Sequence, residues 1–344
     1  MIRLTGRARA HSNIALVKYW GKRDSDLFLP MTNSLSLTLD ALYTDTSIVF
    51  DSELTEDTFT LDQIVQSKEQ TEKLTHFLDI IRAKAQITSK ANVTSLNFVP
   101  TAAGLASSAS AYAALIGACA DALGWEDDHK SLSKLARRGS GSATRSLFGG
   151  FVEWDKGTDD STSVAIPIDD GQWDIGLIVL VLNNGKKKIS SRDGMAHTVA
   201  TSPFYENWVK TVPSDIKQMK AAIYRKDIEM IGEIAEHNAL KMHATMLSAN
   251  PPFWYFEPAT LLAMERIREL RQAGYPAYFT MDAGPNVKII CQKSDMTAIM
   301  DELSHFYTND QMITSAAGPD MRTLTEEEWA ESLAKKEGSN EYSH

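Results

Sequence analysis

Residues 107–123, SSASAYAALIGACADAL, carry small or apolar side chains around nearly the whole circumference of a helix. A surface helix needs one polar face, so a stretch of this kind is stable only when it is buried between layers. It follows a strand-like run at 95–99 and the segment PTAAGLASSAS at 100–110, and Gly124 stands where a helix of this length ends. Two readings of the small-residue loop stand at this point. In one, Gly and Ala side chains let an anion reach the backbone, where the unpaired N–H groups of the first helical turn and the positive end of the helix dipole hold it. In the other, Ser107 or Ser108 is an N-cap and the alanines serve close packing. The loop is neither a Walker A sequence, since GxxxxGK[ST] is absent, nor a dinucleotide-binding GxGxxG.

Further strand-like runs fall at 46–50, 151–155, 175–182, 277–281 and 287–292. Helical spacing predicts helices over 72–86, with Leu74, Phe77, Leu78 and Ile81 on one stripe, and over 214–224, 227–243, 258–273 (closed by Gly274) and 296–306. Strands and helices do not alternate as regular βα units, which favours an α+β fold over a doubly wound or barrel-type parallel sheet. The polar segment NNGKKKIS at 183–190 separates a strand-rich from a helix-rich half. The expected division is 1–185, 186–319 and an acidic tail, 320–344, read as a short helix and a frayed end with seven acidic and three basic residues.

Net charge is −10, which argues against bulk binding to nucleic acid or an anionic membrane. Basic islands persist nonetheless: Lys18, Lys22 and Arg23; Arg137, Arg138 and Arg145; Lys186, Lys187 and Lys188 with Arg192. They suit a small polyanionic ligand or are simply solvated surface charges. Cys119 and Cys291 are the only cysteines, which leaves no disulfide framework or zinc ribbon and fits a reducing cytoplasm. No apolar run is long enough for a membrane span, and no secretory leader is expected from MIRLTGRARAHSN.

Three other segments carry chemistry. RGSGSATRSLFGG at 138–150 reads as a flexible, donor-rich loop in which Ser140, Ser142 and Arg145 face one ligand, or as a structural turn with a surface ion pair. Asp282, in TMDAGPN, ends an apolar run before a tight turn, placing it either as a general base or as an Asx-type cap on its own backbone. In HSNIALVKYWGKRD at 11–24, a strand leads to a polar turn where Lys18 and Lys22 flank Tyr19, Trp20 and Gly21, with Trp20 expected to pack. His237 and His243 are six apart, off one helical face, which disfavours a zinc helix, and no GxSxG elbow occurs.

In this order, HSNIALVKYWGKRD, PMTNSLSLTLD, PTAAGLASSASAYAAL, RRGSGSATRSLFGGFVEW and YFTMDAGPNVKI closely resemble the bacterial-type mevalonate diphosphate decarboxylases of the GHMP kinase superfamily. KYWGKRD together with DAGPN marks the decarboxylase branch, whereas PTAAGLASS alone marks only the superfamily. The resemblance implies a two-domain α+β fold, an ATP-binding N-terminal domain over 1–185, a C-terminal domain over 186–319, an active site in the cleft between them, and a homodimer. The implied reaction phosphorylates the C3 hydroxyl of (R)-5-diphosphomevalonate with ATP and Mg²⁺, giving isopentenyl diphosphate, ADP, phosphate and CO₂. On this resemblance Asp282 engages the C3 hydroxyl, Lys18 lies beside it, Arg145 grips the substrate carboxylate, and Asn13 lies near the catalytic carboxylate. Tyr19, Lys22, Ser191 and Arg192 match diphosphate-binding positions, with Ser140 and Ser142 along the Arg145 loop. Ala103, Gly104, Leu105, Ala106, Ser107 and Ser108 match the ATP phosphate loop, with Ser107 and Ser108 as Mg²⁺ contacts, Ser95 near adenine and Lys187 on the phosphates.

Overall fold

The computed structural model describes residues 3–99, 107–183, 185 and 188–341, with side chains as far as residue 338. The expected contacts Ala103, Gly104, Leu105, Ala106 and Lys187 lie outside the described residues. Two sheets organise the chain. In the first, β1 (Arg3–Val17) runs antiparallel to β4 (Ser34–Asp51) from the Arg3–Asp51 pair to the Val17–Leu35 pair, with irregularities after His11 and Ala15. A short hairpin, β2 (Lys22–Asp24) and β3 (Leu29–Pro30), joins them. β4 is long enough to take two partners on its far edge: β7 (Lys90–Asn97) pairs with positions 44–51 and β8 (Phe151–Asp155) with 34–37. β5 (Thr58–Leu61) and β6 (Ile64–Val65) extend the sheet beyond β7, and β9 (Val164–Asp169) pairs with β8. Helix α1 (Lys68–Ala85) buries the expected Leu74, Phe77, Leu78 and Ile81 stripe.

The alanine-rich segment is α2 (Ser107–Leu123), buried against β1 and β4 as its composition requires. Its approach is very close, because a Cβ on Gly6 of β1 would lie 2.2 Å from the Ala118 carbonyl oxygen and 2.3 Å from the Ala122 nitrogen. The packing reading of the alanines therefore holds along the helix, independently of what its N-terminus faces. Helix α3 (His129–Gly139), capped by Asp128, leads into a 3-10 helix at Gly141–Leu147. The segment expected as a flexible loop is thus ordered and mostly buried: Ala143 and Leu147 join the core beneath α2 and leave the glycines little freedom.

The second sheet runs β11 (Tyr278–Met281), β12 (Val287–Cys291), β10 (Gly176–Leu180), β13 (Met312–Ala316). It carries α4 (Ser191–Thr201), α5 (Tyr205–Tyr224), α6 (Ile228–Leu247), α7 (Pro258–Gln272) and α8 (Met296–Leu303). The spacing predicts a helix from 214, yet α5 begins at Tyr205 and holds Pro213 inside it. Tyr205, Trp208, Val212, Ile216, Met219 and Ile223 form one buried stripe, which outweighs the one hydrogen bond that proline cannot donate. Strand pairing also divides the chain elsewhere than the expected boundaries. β10, before residue 185, is an inner strand of the second sheet. The tail forms β14 (Arg322–Thr323), which pairs with β1, and α9 (Glu326–Glu341), which packs on β4 and β7. Met321, Leu324 and Trp329 are buried and Ser332 donates to Asp45, so as far as Glu341 the tail holds a helix docked on the first sheet, longer than the short one expected.

Candidate active site

β1 and β11 both end at a cavity of about 390 Å³ between the two sheets. Lys18 directly follows β1, and its backbone N–H donates to Asn238 of α6 at 2.8 Å, which fixes the strand end against the second half. Asp282 directly follows β11, and a quarter of its side chain (24%) faces the cavity. Lys18 Nζ donates to Asp282 Oδ1 at 2.9 Å and to the Ala15 carbonyl at 2.8 Å. On the other side Lys288 Nζ, fully buried on β12, lies 3.1 Å from Asp282 Oδ2. Burial alone would raise the Asp282 pKa, but the two ammonium groups outweigh it and hold the carboxyl well below the usual carboxylate range. Burial in turn pulls Lys18 down to about 8 against the opposing pull of Asp282. The turn after Asp282 therefore positions a carboxylate rather than one that merely caps its own backbone.

Arg145, on the 3-10 helix, is 2% exposed and held from three directions. Its Nε donates to Ser36 Oγ at 2.9 Å, Nη1 to Ser34 Oγ at 2.5 Å and Nη2 to Asn13 Oδ1 at 3.2 Å. Of the five guanidinium N–H donors, two remain for an acceptor in the cavity. Asn13 is itself oriented by donating to the Ser142 carbonyl at 3.0 Å and to Ser146 Oγ at 2.8 Å. Ser34 and Ser36 are β4 residues that the sequence reading did not single out. Their signal was the alternation in NSLSLTLD, which puts Ser34 and Ser36 on one face of the strand.

The mouth of the cavity is built differently. Tyr19, Lys22, Ser140, Ser142, Ser191 and Arg192 line it. Ser190 caps α4, so Ser191 and Arg192 occupy its first turn, where backbone N–H groups and the helix dipole favour an anion. Lys22 Nζ sits 3.5 Å from the centre of the Phe28 ring, and the Arg192 guanidinium carbon 5.4 Å from the same ring. Phe28 has a left-handed backbone (φ 56°) and was missed in the sequence, where nothing separates it from an ordinary turn residue. Burial, then the nearby Arg192, pulls the Lys22 ammonium down to about 8. Among the described residues neither Lys22 nor Arg192 has a carboxylate partner. The hydroxyl of Tyr19 is buried without a hydrogen-bond partner. Trp20 packs in the core as expected, edge-on to Tyr255.

Ser107 and Ser108, at the start of α2, line this cavity and also a second one of about 310 Å³, together with Tyr112. The second cavity runs past Thr44, Phe59, Leu61, Asn97 and Ser95. The structure thus brings Asn13, Lys18, Tyr19, Lys22, Ser107, Ser108, Ser140, Ser142, Arg145, Ser191, Arg192 and Asp282 around one space, and Ser95 around its neighbour. Lys288 stands behind Asp282, outside the cavity lining. A single charge in the buried strand VKIIC was the available signal for it.

Buried cations around one anchored carboxylate, opening beside a helix N-terminus, form a charge pattern suited to an anionic ligand, on the two-sheet α+β scaffold of the GHMP kinases. Two family descriptions match the sequence: a diphosphomevalonate decarboxylase-like N-terminal domain over residues 10–165, and a mevalonate 5-diphosphate decarboxylase C-terminal domain over residues 177–343. The chain belongs to the diphosphomevalonate decarboxylase family. It is 36% identical over 314 residues to the diphosphomevalonate decarboxylase of Candida albicans, covering 86% of each chain. The Staphylococcus aureus mevalonate diphosphate decarboxylase structure is 47% identical, covering 94% of this chain and 99% of that one, with a TM-score of 0.92. A structure described as MDDEF in complex with MVAPP, AMPPCP and magnesium is 50% identical, with coverage of 94% and 99% and a TM-score of 0.90. The chain is accordingly an enzyme of the diphosphomevalonate decarboxylase class.

Proposed function

We propose that mevalonate diphosphate spans the larger cavity, with its C3 hydroxyl at Asp282, its carboxylate on the two remaining donors of Arg145, and its diphosphate at Tyr19, Lys22, Ser191 and Arg192. ATP places its adenine in the smaller cavity near Ser95 and its phosphates at the start of α2. The observation that carries this reading is the shared wall. Ser107, Ser108 and Tyr112 line both cavities, so a phosphoryl group leaving the nucleotide enters the space that holds Asp282. No cluster of acidic, histidine or cysteine side chains suited to a metal occurs among the described residues. Mg²⁺ keeps waters and binds largely through substrate phosphates, so the Ser107 and Ser108 hydroxyls fit it as auxiliary oxygen ligands. When bound, the ion neutralises phosphate charge.

The residues then have distinct tasks. A tertiary alcohol is a poor leaving group, and phosphorylation turns it into a good one. Transfer needs alignment and charge neutralisation more than covalent help. A carboxylate held as firmly ionised as Asp282 orients the hydroxyl and receives its proton only as the new O–P bond forms. Lys18, charged at neutral pH, stabilises the transferring phosphoryl group. In the second stage the C3–O bond breaks and phosphate departs. The C1–C2 electron pair then becomes the C2–C3 double bond as CO₂ leaves. Arg145, immobilised by Ser34, Ser36 and Asn13, keeps that C–C bond aligned with the emptying orbital.

The chain is further proposed to work as a homodimer in the cytoplasm. Two buried, unpaired cysteines support a reducing compartment. The dimer is what the family resemblance implies, and light scattering checks it. Headspace CO₂ and ADP measured together, with mevalonate diphosphate and ATP supplied, test the reaction. Equimolar release is expected. ADP without CO₂ would mark a kinase that stops at phosphorylation, and turnover of neither a silent binding protein.

A further inference from the structure

We propose that Lys288 is a positioning residue of this reaction, acting through Asp282 by clamping the carboxylate oxygen that Lys18 does not hold. The inference rests on the reading of Asp282 given above. β12 is buried along its whole length, and Lys288 is its only charged residue, fully inaccessible to solvent. Burying an ammonium is expensive even when it is paired, and an apolar side chain of similar length in a sheet interior is commonly as stable or more so. Stability therefore does not explain the residue. Its contacts do: Lys288 Nζ lies 3.1 Å from Asp282 Oδ2 and donates to the Asn286 carbonyl at 3.3 Å. It does not line the cavity itself.

A carboxylate held at one oxygen can still turn about its Cβ–Cγ bond. A second ammonium 3.1 Å from the other oxygen resists that turn by charge, and so biases the direction in which Asp282 meets a hydroxyl. The other ionisable groups around Asp282 leave this task to Lys288. Lys18 occupies Oδ1, and Arg145 acts from the 3-10 helix at longer range. His243 of α6 is buried, stacked on Phe256 at 4.5 Å, and pushed down to about 3 by burial and then by Lys18, so it stays neutral.

Lys288→Met removes the charge and keeps the length. The expected result is a kcat loss of about 10²-fold, the scale of a misaligned reacting group, with KM for mevalonate diphosphate changed by no more than about twofold. The acid limb of the kcat profile should also move to higher pH, because a carboxylate with one cation fewer is easier to protonate. Lys288→Arg, which keeps a cation, should retain the wild-type acid limb. In an Asp282→Asn background, Lys288→Met should change the residual rate by no more than about twofold, as for two residues acting in series. A Lys288→Met enzyme with wild-type kcat per folded molecule and an unmoved acid limb overturns the proposal. So does a full additional loss in the Asp282→Asn background. Should Lys288→Met fail to fold, Lys288→Gln gives the same readouts. If Asp282→Asn alone leaves kcat intact, it is the reading of Asp282 that fails.

Discussion

At the inner end of the larger cavity each charged group is held by other protein groups, whereas at the mouth two cations face a shared aromatic ring and, among the described residues, no carboxylate. Lys18, Lys288 and Arg145 are buried, and each has at least two polar contacts. Arg192 is exposed, and Lys22 and Arg192 converge on Phe28. The inner end bears its desolvation before any ligand arrives, as suits groups that must be aligned when bonds change. The mouth leaves its positive charge unneutralised, which suits capture of a polyanion and uniform binding of substrate and transition state. Inner substitutions should therefore appear in kcat and mouth substitutions in KM.

The sharpest test of that split is Asp282→Asn. It keeps the size of the side chain and removes the charge, and kcat should fall by about 10²- to 10⁴-fold while substrate still binds. Equilibrium binding of mevalonate diphosphate by calorimetry, run beside steady-state kinetics, separates the two quantities. A kcat near that of the wild type would remove the inner end from the chemistry. Arg192→Ala should do the opposite, raising KM by about tenfold or more through loss of a charge-assisted contact. A large kcat loss at constant KM would break the distinction between the ends.

The two ends were unequally legible in the sequence. Elements with strong periodicity or punctuation were readable: α2 at 107–123 and β8 at 151–155 occupy the predicted residues. Most of the side chains around the cavity were named by the family resemblance that their short motifs carry, while the residues read alone left a structural alternative open for each. What could not be read was contact between segments far apart in the chain. Lys288 looks like an interruption of an apolar strand until the fold sets it behind Asp282. Ser34 and Ser36 look like strand filler until Arg145 reaches them across β4. The glycines and serines of 138–150 suggested flexibility because local composition says nothing of the core that α2 provides beneath Ala143 and Leu147. The acidic tail looked separable because charge dominates its composition, while Met321, Leu324 and Trp329 are what dock it.

A smaller effect concerns pH. Burial lowers both Lys18 and Lys22 to about 8, so both lose charge as pH rises through that value in the free enzyme. kcat/KM, which reports free enzyme, should fall above about pH 8 with a limb steeper than one proton. In the bound complex the diphosphate favours the charged form of Lys22 and moves its titration upward, so kcat should show only the shallower limb of Lys18. Lys22→Arg should reduce the kcat/KM limb to one proton, because arginine stays charged throughout this range. Equal limbs in kcat and kcat/KM for the wild type would mean that the mouth and the inner end are not electrostatically distinct.

The smallest expected effect tests how the mouth holds like charges together before the ligand arrives. Phe28 offers its ring face to both Lys22 and Arg192, and a ring quadrupole attracts each cation by an amount that is modest near solvent. Phe28→Leu keeps apolar bulk and removes that face. The two cations should then splay apart, and KM for mevalonate diphosphate should rise by about two- to fivefold with kcat unchanged. Phe28→Trp, with the stronger quadrupole, should hold KM at or below the wild-type value if the ring fits the left-handed turn. A KM that is the same in Phe28→Leu and the wild type would mean that Lys22 and Arg192 are set by their backbones alone. A kcat loss would tie Phe28 to the inner end instead, and the division between capture and chemistry would have to be redrawn around it.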